Sequence, residues 1–114
     1  MRSHDRGTAA VEFALIMPLL VLLIFAIVDL GRMLNAQIVL TEAAREGARA
    51  TALGNDPQTH IDAALGGMAA TAAIVDCTDP TGDASVTLTH AFTFLLLGDA
   101  GVTLTGHAAM ACLH

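Results

Sequence analysis

The chain has 114 residues, of which 54% are hydrophobic and 14% charged, and its formal net charge is −6. This composition predicts one membrane anchor followed by one small domain. The sequence contains no lysine and only 5 arginines, so it lacks the clustered cations that a nucleic-acid groove requires, and we expect no direct binding to nucleic acid.

An uninterrupted apolar run extends from Phe13 to Val28 near the N-terminus. The run forms about 24 Å of helix, and it reaches the roughly 20 residues that a bilayer requires only if Thr8 to Val11 and Glu12 also enter the membrane. A carboxylate at the edge of the hydrocarbon is costly, so we expect Glu12 to have a positively charged partner. The alternative is a carboxylate that reaches back to the lipid headgroups and has no further role.

Charge asymmetry predicts the orientation of this anchor. Arg2 and Arg6 outnumber Asp5 before Gly7, whereas 9 acids and 3 arginines follow Val28. The positive-inside rule therefore places the N-terminus in the cytoplasm and the rest outside, in a single-pass protein of the cytoplasmic membrane. We expect a transmembrane segment over residues 8–30 and an extracytoplasmic domain over residues 31–114.

Good helix formers continue from Thr8 to about Leu53, which predicts one helix that crosses the membrane and continues as a stem over residues 31–54. Pro18 removes a backbone hydrogen-bond donor inside this helix, so we expect a kink at this position. The alternative is that Pro18 is one of the prolines that membrane helices tolerate without a special role. We expect the stem to pack on the domain through a narrow stripe and to carry two ion pairs on its wetter side. The stripe is Leu34, Ile38, Thr41, Ala44 or Arg45, and Ala48, and the pairs are Glu42 with Arg45 and Glu46 with Arg49.

The second half of the chain predicts a short helix and a small sheet. Residues 54–57, Gly-Asn-Asp-Pro, combine a helix stop, an N-cap and a first-turn proline, so a second helix is expected over residues 57–70. Alternating apolar residues then predict strands over about 72–77, 85–94 and 102–112. The predicted fold class is α+β, in which a long N-terminal transmembrane helix continues into an extracytoplasmic domain and a second short helix packs on an antiparallel sheet of about three strands.

Three features of this domain invite a structural or functional interpretation. Cys77 and Cys112 lie outside the cytoplasm in this topology, so a disulfide is expected, the alternative being two buried free thiols. His90 falls on the core-facing side of its strand, where an imidazole with satisfied hydrogen bonds is the simpler interpretation. The apolar triplet Leu95–Leu97 ends at Gly98 and is either a cap on the core or an exposed contact surface.

The sequence contains histidine, cysteine and aspartate residues, but they do not have the spacing that is typical of metal sites or catalytic groups. The histidines and cysteines show no familiar ligand pattern, so we expect no metal and no cofactor. Several acids lie in turn-like contexts, where they form turns more often than catalytic pairs, and an enzyme is not expected. The histidines are His4, His60, His90, His107 and His114, and the acids are Asp76, Asp79, Asp83 and Asp99.

Two segments of the first half carry a family resemblance: residues 6–15, RGTAAVEFAL, followed by Pro18, and residues 43–50, AAREGARA. They resemble the TadE-like pseudopilins of the tight-adherence (Tad), or Flp, type IV pilus systems. The resemblance implies a leader of residues 1–7 that a prepilin peptidase removes between Gly7 and Thr8. Glu12 would then be the fifth residue of the mature chain and Phe13 the sixth, and the apolar segment would be retained.

The resemblance also implies a function and a set of partners. The chain would be a minor pilin or pseudopilin in an initiation or tip complex, because its bulky second half suits a minor component better than a close-packed shaft. Glu12 would attract the new amino terminus of a neighbouring subunit. The implied partners are the prepilin peptidase, TadF-like and Flp-like pilins, the inner-membrane assembly platform and the lipid bilayer, and the protein would also enter the surface pilus.

Two other interpretations keep the apolar run but not the pilus. A single-pass structural or adhesive cell-envelope protein would share the anchor and the domain without leader cleavage. A secreted protein would use Phe13 to Val28 as the core of an ordinary signal peptide, but residues 29–32 and 34–36 offer no good cleavage site.

Overall fold

The computed structural model describes residues 2–78, 81–98 and 101–113, with side chains from Asp5 onward. Its elements are helices α1, Arg2–Ala52, and α2, Pro57–Leu65, and strands β1, Thr71–Val75, β2, Asp83–Thr93, and β3, Gly101–Ala111. The predicted α+β fold is confirmed. Some residues named above lie outside the description: Asp79, Asp99 and His114, and the side chains of Arg2 and His4.

Helix α1 begins at Arg2 rather than at the predicted Thr8 and is continuous through Pro18. Asp5 lies in its first turn, where a carboxylate interacts favourably with the free N–H groups of the helix. Within the described residues it is the one helix long and apolar enough to cross a membrane, and its most apolar part is not buried against the rest of the chain. The molecule consequently measures 83 × 21 × 20 Å.

The C-terminal head, meaning α2 and the sheet, packs on the last part of α1. The sheet has the order β1-β2-β3 and is antiparallel throughout. In its register Val86 pairs with Ile74 on one side and with Ala108 on the other. The side chains at the centre of the core are fully buried; the largest are Leu40, Ile61, Val86 and Leu88.

The predicted packing stripe of the stem is wrong in part. Leu34 and Ile38 are 55% and 62% exposed and point away from the head. The buried face consists mainly of small residues, because α1 lies so close to its neighbours that larger side chains do not fit. At Gly47, a Cβ would come 2.6 Å from Cγ1 of Ile61 in α2. The buried residues of this face are Ala36, Leu40, Ala43, Ala44, Gly47, Ala48, Ala50, Thr51 and Ala52.

Of the two predicted ion pairs on the stem, the structure forms one. Arg45 Nη1 lies 3.0 Å from Oε1 of Glu42, and both side chains are largely exposed. Glu46 and Arg49 form no ion pair in the described part of the chain, and both instead line a shallow pocket beside His60. Exposed pairs of this kind contribute little to stability, so the difference has a small energetic consequence.

Helix α2 ends at Leu65, earlier than the predicted residue 70. Gly66 adopts a left-handed conformation with φ 61° and donates its N–H to the Asp62 carbonyl oxygen, and Gly67 also has a positive φ. Glycine readily adopts this conformation, so the pair terminates the helix at Leu65. The start agrees with the expected signal, since Asp56 caps the helix by accepting the Gln58 N–H and Pro57 follows it.

Candidate functional site

The residues of the family motif lie on exposed turns of α1. Gly7, Thr8, Glu12 and Phe13 are all exposed, and a Cβ added at Gly7 would meet nothing within 4 Å. The peptide bond between Gly7 and Thr8 is therefore unobstructed by the head. Thr8 and Glu12 are four residues apart, so they share one face of the helix.

Glu12 has no cationic partner among the residues that the structure describes. The ion pairs in the described part of the molecule are Asp29 with Arg32 and Glu42 with Arg45. An exposed carboxylate within a lipid-facing segment is stabilised when it meets a positive group. Such a group would have to come from another molecule or from outside the described residues.

A second carboxylate, Asp29, lies at the junction between the apolar part of α1 and the head. It is only 3% exposed. Its Oδ1 accepts the backbone N–H of Leu95 at 2.9 Å, and its Oδ2 accepts the N–H of Leu96 at 3.1 Å. The Asp29 carboxylate thus joins α1 to the connection between β2 and β3.

Arg32 completes this junction. Its Nη1 donates to Oδ1 of Asp29 at 3.1 Å, so the buried carboxylate is balanced by a cation one turn away. The guanidinium also lies 5.1 Å from the ring centroid of Phe92, which in turn contacts Phe94 edge to face. Contacts between arginine and an aromatic face are attractive, so the end of β2 is fixed to α1.

Sequence reasoning missed Asp29, which it considered only as part of a rejected cleavage site. Two signals were available. Asp29 directly follows the apolar run, and Arg32 lies at i+3, the spacing of an intrahelical ion pair. What the sequence could not reveal is that the backbone of a turn 66 residues away needs this acceptor.

The leucine turn, Leu95–Leu97, is exposed instead of capping the core. Its side chains are 55%, 41% and 59% exposed. Between the turn and α1 lies an open apolar pocket of about 320 Å³. The pocket is lined by Ala26, Asp29, Leu30, Phe94, Leu96 and Leu97.

A disulfide joins Cys77 and Cys112, with their Cα atoms 5.8 Å apart. It lies at the opposite end of the head from the leucine turn, against Ala52 at the end of α1 and Ala84 at the start of β2. Close by, the Leu113 N–H donates to the Ala52 carbonyl oxygen at 3.1 Å. The bond therefore links the segment after β1 to the end of β3, beside the end of the long helix.

Two histidines of the head form contacts within the sheet domain. Nδ1 of His90 donates to the Ala69 carbonyl oxygen, and Nδ1 of His107 lies 2.9 Å from the Thr87 hydroxyl. Among the residues that the structure describes, no three His, Cys, Asp or Glu side chains are grouped so that they could hold a metal ion. Asp83 begins β2 rather than lying in a turn.

Comparison with known proteins gives one match. The model of a protein family described as "TadE-like protein" matches residues 7–49. The matched range contains Gly7, Thr8, Glu12, Phe13 and Pro18, together with Asp29 and Arg32, and ends just before the end of α1. No curated protein and no solved structure matches the chain.

Proposed function

We propose that this chain is a Tad pilus-associated protein, and specifically a minor pilin or pseudopilin acting in the initiation or tip complex of the pilus. The match of residues 7–49 to the TadE-like family model supports this proposal. It would act by helix–helix packing, first in the membrane and then in the filament, after a prepilin peptidase removes residues 1–7. Its N-terminus would face the cytoplasm and its head the outside, as the charge asymmetry favours.

The observation that carries this proposal is an uncovered apolar ridge along α1, formed by Ile16, Leu20, Ile27, Leu34 and Ile38. At about 100° per residue these side chains fall within about 40° of one another, so they form one line along the helix. All five are exposed, and they lie on the side opposite the head.

The ridge extends beyond the apolar run into the stem, which favours a protein neighbour. Lipid would cover the residues before Asp29, but Leu34 and Ile38 lie one to three turns beyond Asp29, in the part of α1 that carries the head on its opposite face. Exposed leucine and isoleucine in water are unfavourable, and a second amphipathic helix would cover them together with the membrane part. A pilus subunit supplies such a helix.

Glu12 gives this packing a polar anchor. Cleavage after Gly7 would create a charged amino terminus at Thr8, and in a low-dielectric environment the amino terminus of one subunit would be attracted to Glu12 of the next. Charge pairs in such surroundings fix register even where their net contribution to stability is modest. The proposed partners are other pilins, of TadF-like or Flp-like type, delivered by the inner-membrane assembly platform.

The size of the head supports a minor position over a shaft position. More than half of the chain after the leader lies beyond residue 49, and the head packs along one side of the stem. A domain of this size on a single helix limits how closely identical copies approach one another. A low-copy initiating or tip subunit avoids that restriction.

The test is the intact mass of the full chain extracted from membranes of cells with and without a prepilin peptidase. We expect loss of residues 1–7 only when the peptidase is present. The variant Gly7→Leu should remain unprocessed in both cases. Gly31→Leu introduces the same side chain in the same helix but away from the cleavage site, and it should be processed normally. An unprocessed native chain would contradict the proposal and favour a plain membrane-anchored envelope protein, and loss of the whole apolar run would indicate a secreted protein.

A further inference from the structure

We infer that the leucine turn is a second membrane contact, seated in the leaflet next to the head and held beside the membrane helix by Asp29. Its occupant is the boundary between phospholipid headgroups and acyl chains. This inference rests on membrane anchoring by α1, with which the single apolar helix is consistent, and not on pilus assembly.

The position of the turn along α1 is fixed by hydrogen bonds. Asp29 directly follows Val28, the last residue of the apolar run. The N–H groups of Leu95 and Leu96 are bonded to its carboxylate, so the turn lies within one hydrogen-bond length of the point where the apolar run ends. A membrane that accepts the run must therefore have its surface near this turn.

The depth of the turn follows from the length of the helix. Thr8 to Val28 forms about 30 Å of helix, which equals the thickness of the hydrocarbon core. Ala26 then lies just inside the hydrocarbon and Leu30 just outside it. Ala26 and Leu30 line the same pocket as Leu96 and Leu97. The side chains of Leu96 and Leu97 therefore lie at a depth between Ala26 and Leu30. The headgroup layer extends several ångströms further out, and the turn falls within it.

The surface of the turn continues the lipid-facing surface of the helix. The open pocket between the turn and α1 is lined almost entirely by apolar side chains. The sequence from Phe92 to Gly98 contains no charged residue. An acyl chain lying along Ala26 would enter this pocket without leaving an apolar surface. The acyl chains that surround α1 would therefore also cover the exposed leucine side chains of the turn.

The junction also satisfies the polar groups that such a depth would penalise. Backbone N–H groups at the hydrocarbon boundary are best satisfied within the protein, because acyl chains provide no hydrogen-bond acceptors. Asp29 accepts two of them, and Arg32 balances its charge. Arg32 is partly exposed on the head side, where a guanidinium lies at the level of the lipid phosphates. The role of the buried Asp29 carboxylate would then be to hold the leucine turn at the membrane surface by accepting two of its backbone N–H groups.

The test uses the absence of tryptophan from the native sequence. We would reconstitute the full chain of L97W in phosphatidylcholine vesicles at a high lipid-to-protein ratio, with and without lipids brominated on their acyl chains. F25W in the apolar run serves as the membrane-inserted reference. L113W is the matched control. Leu113 is 71% exposed, but its N–H is hydrogen-bonded to Ala52, which lies about 35 Å beyond Asp29 along α1 and so far from the expected membrane surface.

We expect the fluorescence of L97W to be blue-shifted and quenched by brominated lipid severalfold more than that of L113W, approaching the quenching of F25W. Quenching of L97W no stronger than that of L113W would overturn the inference. A blue-shifted but unquenched L97W would also overturn it, because protein instead of lipid would then cover the turn. If L97W fails to form the native disulfide and far-UV spectrum, L95W is judged by the same criteria.

The role of Asp29 is tested in the same system. Replacing Asp29 by Asn in the L97W protein removes the ion pair with Arg32 and one N–H acceptor, since an amide group offers only one oxygen. We expect the quenching of L97W to fall while that of F25W with the same Asp29→Asn change stays constant. Unchanged quenching of both would refute Asp29 as the residue that positions the turn.

Discussion

Gly106 in β3 lies directly against the main chain of Leu40 in α1. A Cβ at position 106 would come 2.7 Å from the Leu40 carbonyl carbon and oxygen and 2.9 Å from the Leu40 Cβ. Leu40 is fully buried, and the contact lies between backbones that cannot rotate away. The distance between the stem and the sheet is therefore set by the missing side chain of Gly106.

Gly106→Ala should destabilise the head. The added methyl group meets backbone atoms, so the helix and the sheet must separate, and overpacking of this kind costs about 1–3 kcal/mol. The measurement is the free energy of unfolding of the full chain in detergent, obtained by pulse proteolysis across a urea series. Gly31→Ala is the matched control, because a Cβ at Gly31 meets nothing within 4 Å and should leave the free energy unchanged or raise it slightly. Equal stability of both variants would contradict the contact.

Local patterns in the sequence were sufficient to predict the elements of the fold. Continuous helix formers predicted α1, the Asp56-Pro57 start predicted α2, and alternation predicted the strands, with boundaries that differ by one or two residues at most ends. The exceptions are the start of α1 and the end of α2. These signals act over a few residues, so no knowledge of the tertiary contacts was needed.

The face that α1 presents to the head could not be predicted in the same way. Leu34 and Ile38 are more hydrophobic than the alanines of α1 that are buried against the head. Hydrophobicity alone would therefore predict that Leu34 and Ile38 are buried. Which face is buried depends on the close approach at Gly47 and Gly106, and that approach brings together residues far apart in sequence. Asp29 was missed for the same reason, since its partners Leu95 and Leu96 are remote in the chain.

Removal of the disulfide should weaken the head at the end remote from the apolar part of α1. Closing a loop with a sequence separation of 35 contributes about 4 kcal/mol by the chain-entropy model. We expect the double variant Cys77→Ser/Cys112→Ser to lose about 2–5 kcal/mol of unfolding free energy in the same urea series. The native protein with reductant is the internal control and should approach the double variant, whereas a reduced protein as stable as the oxidised one would contradict a stabilising role for this bond.

The cap of α2 predicts a pH dependence. The Thr59 hydroxyl donates to Oδ2 of Asp56 at 2.7 Å and the Gln58 N–H donates to its Oδ1, and these bonds lower the pKa of Asp56 below its ordinary value of 3.8. A carboxyl group whose pKa is lower in the folded state stabilises that state fully above its unfolded pKa and loses this effect as the pH falls through the folded pKa. The contribution of the charged cap should therefore be present at neutral pH and decline below about pH 4.

Hydrogen exchange of the α2 amides, corrected for intrinsic rates, measures this effect. Asp56→Ala should speed exchange relative to the native chain at neutral pH, and the ratio of the two rates should shrink towards pH 3. Asp56→Asn retains an acceptor without a charge, so its rate relative to Asp56→Ala should not change with pH. A native-to-Ala ratio that is constant from pH 7 to pH 3 would show that the charge of Asp56 does not contribute.

The exposed carboxylate of Glu12 predicts a defect in assembly without a defect in folding. It has no ion-pair partner in the described part of the chain, and the head lies far from it along α1. Glu12→Gln should therefore leave membrane insertion, leader cleavage and the Cys77–Cys112 disulfide intact. If the carboxylate pairs with the amino terminus of a neighbouring subunit, the same variant should lose most of its co-purification with other pilins and most of its pili.

Glu12→Asp is the matched variant, since it keeps the charge on a side chain one methylene shorter. It should recover more of the co-purified pilins than Glu12→Gln does, because attraction between charges persists over a small increase in distance whereas a neutral amide removes it. Both variants are compared at equal amounts of membrane-extracted, processed protein, so that expression does not enter. Normal piliation and normal partner recovery in Glu12→Gln would show that the carboxylate does not direct assembly, and Glu12 would then be a charge that simply reaches the lipid headgroups.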